Sequence, residues 1–335
     1  MPFRDDAPSR PAVIEPLVRF GQLYAALDAG RGTLGDRAPL RLAAVTLIGV
    51  PGETDELVAR VRAADAELAP SFGWTSSVDS SVRMVLAAAL VRTGESVASF
   101  VAGSQRVSAL IKAAGIRWAG VHGVLAGMVL RRVVGGEPSE GDVDRMRAIH
   151  AVMKKHHWFL TGPEDLTTCA MLIGKPGSPQ EIGDHVEAIY RRLANAPKTW
   201  GGDQLQSAAG VLALVGLGPD EAADRFLAVA TALRAGGVKI GQAEYDEVAV
   251  LSFVPRGAEV IATEVAELRM RIDAELSWAE DAMATSLAVN LSFVRLVADE
   301  ADTRVAALAD AKLLLDMQSI VAMRQAASVA VMAAT

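Results

Sequence analysis

Cysteine is nearly absent. The 335 residues contain one, Cys169, set in the apolar stretch TTCAMLIG. An internal disulfide framework is thereby excluded, and the setting predicts a small buried hydrophobe rather than a nucleophile. Aromatic residues are also scarce, at 5% against 51% hydrophobic overall. That balance excludes disorder and, with alanine abundant, favours close-packed helices over sheets. Basic charge is in deficit: 33 Lys and Arg against 40 Asp and Glu leave a net charge of −7. No stretch has the basic density of a nucleic-acid footprint. Arg131-Arg132 and Lys154-Lys155 read instead as cations at helix C-termini.

Long uncharged runs are missing too. Mean hydropathy is +0.27, yet no window of about eighteen residues is free of charge, so no transmembrane segment is expected. The apolar tail IVAMRQAASVAVMAA is interrupted by Arg324 and Gln325. The start, MPFRDDAPSRP, lacks an apolar secretory core, and a cytoplasmic location is expected. There is no nucleophile elbow or paired-cysteine motif, and the lysine of GKPGSP precedes the glycine-rich turn rather than following it. Gly30, Gly32 and Gly35 have dinucleotide-loop spacing, but no strand precedes them. No cofactor is expected.

What is present is a repeat. Aligned on Leu42, Val82, Val121, Leu166, Leu205 and Tyr245, the chain shows steps of 40, 39, 45, 39 and 40 residues. The long step coincides with the loop VVGGEPSEGD. Each unit has a short apolar segment, a Gly/Pro break and a longer amphipathic segment. Val143, Met146, Ile149 and Met153 recur at helical spacing, as do Val186, Ile189, Tyr190 and Leu193. The breaks carry start signals: Ser178-Pro179 with Glu181 forms a capping box, and Pro219-Asp220-Glu221 places acids at a helix N-terminus. Thr161 with Glu164 matches a capping box as well. Gly115 and Gly236-Gly237 are stops.

The pattern predicts an all-α protein of tandem helical hairpins forming an α-α superhelix or ring, HEAT-like in grammar. Residues 1–40 would be an N-terminal helix and linker, 41–273 the hairpins, and 274–335 capping helices of one continuous structural domain. Leu47, Leu86, Val129, Leu172, Leu212 and Val250 are expected to be buried in first helices.

Function is expected at the unit junctions. Trp74, Trp118, Trp158 and Trp200, spaced by 44, 40 and 42 residues, all fall there. Equivalent loops of a stack share one edge, often the binding face. The candidate binding residues are Trp118, His122, His157, Trp158, Asp165, Trp200, Asp203 and Tyr245. Each has a plainer alternative: the acids favour helix N-termini, and a tryptophan per unit can pack one helix on the next. His150, His156 and His157 lie close in sequence without a helical-spaced glutamate, so no metal site is assigned. His185 is expected to be solvated, and the acids from Asp299 to Asp302 are expected to form a solvated helix face rather than a metal site.

The stretches FLTGPEDL (Phe159–Leu166) and GGDQLQSAAGVLAL (Gly201–Leu214) resemble a bacterial family, protein of unknown function 4003. IEPLVRFGQLYAAL near the N-terminus and MRQAASVAVMAAT at the C-terminus are similar to that family too. The resemblance covers the chain from about residue 12 onward and implies no activity. The expected function is a helical-repeat binding protein whose tryptophan-lined junction groove takes a peptide, protein or small-molecule ligand. The alternative is an α/α-type enzyme using Asp165, Asp203 and His157 or His122 as acid–base groups.

Overall fold

In the computed structural model, residues 15–30, 37–72, 78–116, 120–214, 216–276 and 281–297 are described. Among them there are fourteen α-helices and no strand. Helix α1 (Pro16–Ala29) comes first. Six helix pairs follow: α2 (Ala38–Leu47) with α3 (Thr54–Leu68), α4 (Ser80–Thr93) with α5 (Val97–Ala113), and α6 (Gly120–Val134) with α7 (Glu140–His156). Next come α8 (Leu166–Leu172) with α9 (Pro179–Ala194), α10 (Asp203–Ala213) with α11 (Pro219–Ala235), and α12 (Tyr245–Leu251) with α13 (Ala258–Glu275). Helix α14 (Asp281–Val297) ends the described chain. The segment Leu42 to Leu47, apolar enough to read as a strand in isolation, is helical.

The two kinds of segment form two layers. Odd-numbered helices pack on the next odd-numbered helix from α1 to α13, and α6, α8, α10, α12 and α14 pack successively on each other. The even helices are enclosed: of the eleven residues of α4 from Ser81 to Val91, all but Arg83 are buried. The odd helices are amphipathic, with α9 burying Ile182, Val186, Ile189, Tyr190 and Leu193 along one face. Leu47, Leu86, Val129, Leu172, Leu212 and Val250 are all buried, none above 2% exposed. Cys169 is buried as well.

Small residues let neighbouring helices within each layer approach. A Cβ on Gly210 of α10 would collide with Thr168 of α8, and one on Gly183 of α9 with Val152 of α7. This is the structural return on an alanine- and glycine-rich, aromatic-poor composition. Among the described residues no single helix is long and apolar enough to cross a membrane. The bent pair α4–α5 is apolar enough when taken together, but it turns through 115°.

Helix starts follow the local chemistry. Ser178 and Glu181 form the expected capping box at α9, and Ser139 with Asp142 forms another at α7. Carbonyls at and just beyond the C-terminal ends of the even helices are satisfied by side chains from the odd layer. Arg145 of α7 donates to the carbonyls of Ile173, Lys175 and Gly177, at 3.0, 2.7 and 2.8 Å. Arg225 of α11 does the same to Ser252 (2.8 Å) and Val254, Arg60 of α3 to Val91, and Arg19 of α1 to Gly52. His185 of α9 stands at the equivalent place and reaches the backbone of Leu217. It is half-buried rather than solvated, and burial lowers its pKa. In α5 the equivalent place is Gly103, and the guanidinium of Arg131 fills the space beside it.

The ends of the described chain meet. Helix α14 packs against α1 and α2 as well as α12 and α13. Arg271 of α13 pairs at 3.1 Å with Glu15, the N-cap of α1. The hydrogen bonds from Arg271 are among the causes that lower the Glu15 pKa, against a larger opposing desolvation.

Candidate functional site

Three junctions run from an odd helix to the next even one at the same end of the layers: 157–165, 198–203 and 238–244. The first begins where α7 stops. The backbone N–H of His157 still bonds to Met153, and its carbonyl then accepts from Leu160 and Thr161. This tight reversal throws Trp158 and Phe159 outward, 75% and 69% exposed. The two rings meet edge to face at 5.9 Å. The His157 side chain turns back: Nε2 pairs with Glu187 of α9 at 2.6 Å, and the ring lies 4.5 Å from that of Tyr190. His156 pairs with Asp184 at 2.8 Å.

A 3-10 turn, Pro163–Asp165, then leads into α8. The expected cap shifts by one residue here. The backbone N–H of Gly162 donates to Asp165 at 3.0 Å, so the pair is Gly162 with Asp165 rather than Thr161 with Glu164. The extra 3-10 residues ahead of α8 account for the change of register. Gln206 of α10 reaches across and donates to Thr161 at 3.1 Å and to Asp165 at 3.3 Å. His150 of α7 donates from Nε2 to the carbonyl of Gly162 at 2.8 Å.

The second junction is held from below by two phenols. The backbone N–H of Trp200 donates to the Tyr245 hydroxyl at 3.0 Å, and that of Gly202 donates to Tyr190 at 3.3 Å. From the third junction, Gln242 donates to the carbonyl of Gly201 at 3.0 Å. Gly202 has φ of 143°, a conformation that side chains disfavour, and Lys198 sits at φ 60°. Trp200 is left 56% exposed. Every exposed large aromatic side chain among the described residues lies in these two junctions.

The acids are crowded. Asp165 is buried, and its pKa is pushed up to about 7, first by burial and then by the nearby carboxylates of Glu164 and Asp203. Asp203, exposed at the start of α10, is also raised, by partial burial and by Glu164. His122, buried at the start of α6, has its pKa lowered by burial, against a smaller opposing effect of Glu164. His150 is lowered for the same first reason. Glu164 thus stands within electrostatic reach of α6, α7, α8 and α10.

The candidate residues therefore separate into kinds. Trp158, Glu164, Trp200 and Asp203 are on the surface. Asp165 and His122 are buried next to them. His157 supports the first loop through Glu187 and Tyr190, and Tyr245 is completely buried beneath the second. Trp118, like Trp74 and the acids from Asp299 to Asp302, lies outside the described residues. Sequence reasoning passed over Glu187 and Tyr190, which hold the loops from an amphipathic helix. Their signal, a polar atom on a buried face, does not differ from ordinary core patterning. A cavity of about 10 Å³ lies among Met153, His157, Tyr190 and Gln206, room for about one water.

A family model, protein of unknown function (DUF4003), matches residues 57–326. The chain belongs to this family. All three junctions fall inside the matched span. No match is found among curated proteins or among solved structures.

Proposed function

We propose that this protein is a helical-repeat binding protein. Its hairpins form an α-α ring, and its junction edge takes a segment of a partner protein or peptide. One observation carries the proposal: Trp158, Phe159 and Trp200 are exposed on loops whose backbones are fixed. Exposed indoles on a mobile loop would be ordinary. Here the supporting bonds come from Tyr190, Tyr245, Gln206 and Gln242, so the loop backbone that carries the rings needs little ordering at the moment of binding. Rigid aromatic anchors of this kind dominate binding energy at protein interfaces. The cross-links Gln206 to Thr161 and Gln242 to Gly201 make neighbouring junctions one continuous edge.

The enzyme alternative, with Asp165, Asp203 and His157 or His122 as acid–base groups, has the near-neutral titration of Asp165 in its favour. Against it stand the burial of Asp165, 6% exposed, and the engagement of His157 with Glu187. A substrate would have to displace the Gln206 bridge to reach the carboxyl group.

The test is selection of a random peptide library on the intact protein, with counter-selection on a Trp158→Ser/Trp200→Ser double variant. Both side chains are exposed, so the variant should fold. Peptides enriched on the wild type and lost on the variant are the expected result. Enrichment that survives the double substitution, or no enrichment at all, overturns the proposal.

A further inference from the structure

The odd layer carries a second open surface. Between α11 and α13 lies a trough of about 860 Å³, floored by Leu227 and Ala232 of the first helix and Ala262 and Ala266 of the second. Met270, 65% exposed, adds an apolar wall. The C-terminal end of α11 reaches the trough through Gly236, where an added Cβ would meet that of Ala266 at 3.7 Å. Earlier odd helices are bridged by charge: His156 pairs with Asp184 between α7 and α9 at 2.8 Å, and Arg192 with Asp224 between α9 and α11 at 3.1 Å. Among the described residues no ion pair joins α11 to α13.

The charge of the trough has one sign. Glu259 and Glu267 line it, both exposed, and no described Lys or Arg does. Neither carboxylate has an ion-pair or hydrogen-bond partner. The four arginines of the two helices are engaged elsewhere. Arg225 bonds to Ser252, Arg234 to Ile240, Arg269 to Asp273 and Arg271 to Glu15. The two glutamates are eight residues apart on α13, so about 12 Å along its axis. The end of α11 adds the negative pole of its backbone dipole.

These features select the occupant. The sides of helices offer no free backbone groups, so an extended segment buried here would leave its own amides unpaired, whereas a helix satisfies them internally. Ala228, Thr231 and Thr263 along the rims are exposed, which makes the trough too open to enclose a small ligand. Nucleic acids and anionic lipid surfaces carry the same sign as the glutamates.

We propose that the trough between α11 and α13 docks a cationic amphipathic helix of a partner protein. The helix lays its apolar ridge along Leu227, Ala262 and Ala266, and places Lys or Arg residues seven or eight apart against Glu259 and Glu267. Charge complementarity of this kind fixes register and speeds association, and it weakens with salt. The site uses other residues than the junction edge and does not rest on it.

The experiment uses the full chain and three labelled synthetic peptides of eighteen residues, read by fluorescence anisotropy at low salt. The first is an alanine- and leucine-faced helix with lysines seven apart. The second carries glutamate in place of lysine, and the third has the composition of the first in an order that breaks the apolar face. The first is expected to bind at least tenfold more tightly than the others. Glu259→Lys/Glu267→Lys, changed only at exposed positions, should reverse the preference between the first two. Thr231→Gln/Thr263→Gln, which fills the trough without charge, should weaken binding at least tenfold, and Trp158→Ser/Trp200→Ser should leave it unchanged. Lysine and glutamate peptides that bind alike, or no binding of the lysine peptide, overturn the proposal. Binding lost with the tryptophans belongs to the junction edge and overturns it too. A dimer of the chain alone, seen by sedimentation and abolished by Glu259→Lys/Glu267→Lys, would give the trough to a second copy and overturn the partner helix.

Discussion

The hydroxyl of Tyr245, a side chain with no solvent exposure, accepts the backbone N–H of Trp200, whose indole is 56% exposed. A buried phenol thus positions a surface ring 45 residues earlier in the chain. The Tyr245 ring is fixed in turn against Phe226, edge to face at 5.8 Å. Tyr245→Phe keeps the packing and removes the acceptor. It should cost about 1 kcal/mol in denaturant unfolding, the usual worth of one hydrogen bond. Its sharper signature is local: the Trp200 amide should exchange with deuterium faster in the variant. Unchanged exchange at Trp200 would mean that the phenol does not hold the loop.

Arg145 satisfies the carbonyl of Ile173, which caps the seven-residue helix α8, and those of Lys175 and Gly177 in the turn that follows. Arg145→Ala should destabilise the protein by about 2–4 kcal/mol, since bonds from charged donors are the stronger ones and the carbonyls lose their cap. Arg145→Lys should recover less than half of that, because an ammonium cannot span the planar fork. Equal stability of the Lys variant and the wild type would show that charge alone is what the helix end needs.

Leu172→Ala and Leu212→Ala, in the enclosed helices α8 and α10, should each cost about 2–5 kcal/mol by thermal or denaturant unfolding. Val18→Ala, at an exposed position on α1, should stay within about 0.5 kcal/mol of the wild type. An innocuous Leu212→Ala would contradict its complete burial.

These positions show how much could be read from residues alone. Leu172 and Leu212 were legible because a helix buried on all sides is apolar on all sides, and the forty-residue spacing phased one against the next. The junctions were legible as places but not as surfaces. Trp200 and Tyr245 both sit in junction sequence, yet one is exposed and the other sealed, and that difference is made by Phe226 and α12, which local pattern does not contain. Arg145 and Arg225, 80 residues apart, recur in the repeat, yet a cation on an amphipathic helix looks the same whether it meets water or a helix end. The same ambiguity concealed His185. The α8 cap was misplaced by one residue because a 3-10 turn adds residues without changing the composition of the start signal.

Asp165 gives a prediction with a definite sign. Its carboxyl group titrates near 7 in the folded protein, chiefly because it is buried, against about 3.9 in an unfolded chain. A raised carboxyl pKa means that the native state binds the extra proton. Stability contributed by this group is therefore complete below about pH 4 and is lost as pH rises to about 7, by up to roughly 4 kcal/mol. His122 and His150 slope the other way: their lowered pKa values remove stability as pH falls below about 6.5. The total pH profile of the wild type mixes these effects, but comparison with Asp165→Asn isolates one of them. Asparagine keeps the shape, and its oxygen can still accept from Gly162, while Gln206 can turn its amide to suit. At pH 5 the folded carboxyl is protonated but its unfolded counterpart is already ionised, so the variant should be ahead by only about 1–2 kcal/mol. At pH 8 the variant should be the more stable by about 2–4 kcal/mol, read from urea unfolding at both pH values. An advantage for Asp165→Asn that is the same at pH 5 and pH 8 would show that the carboxyl does not titrate between them. A variant less stable at pH 8 would show that the ionised Asp165 is a favourable helix cap, and that the charge from Glu164 and Asp203 is screened from it.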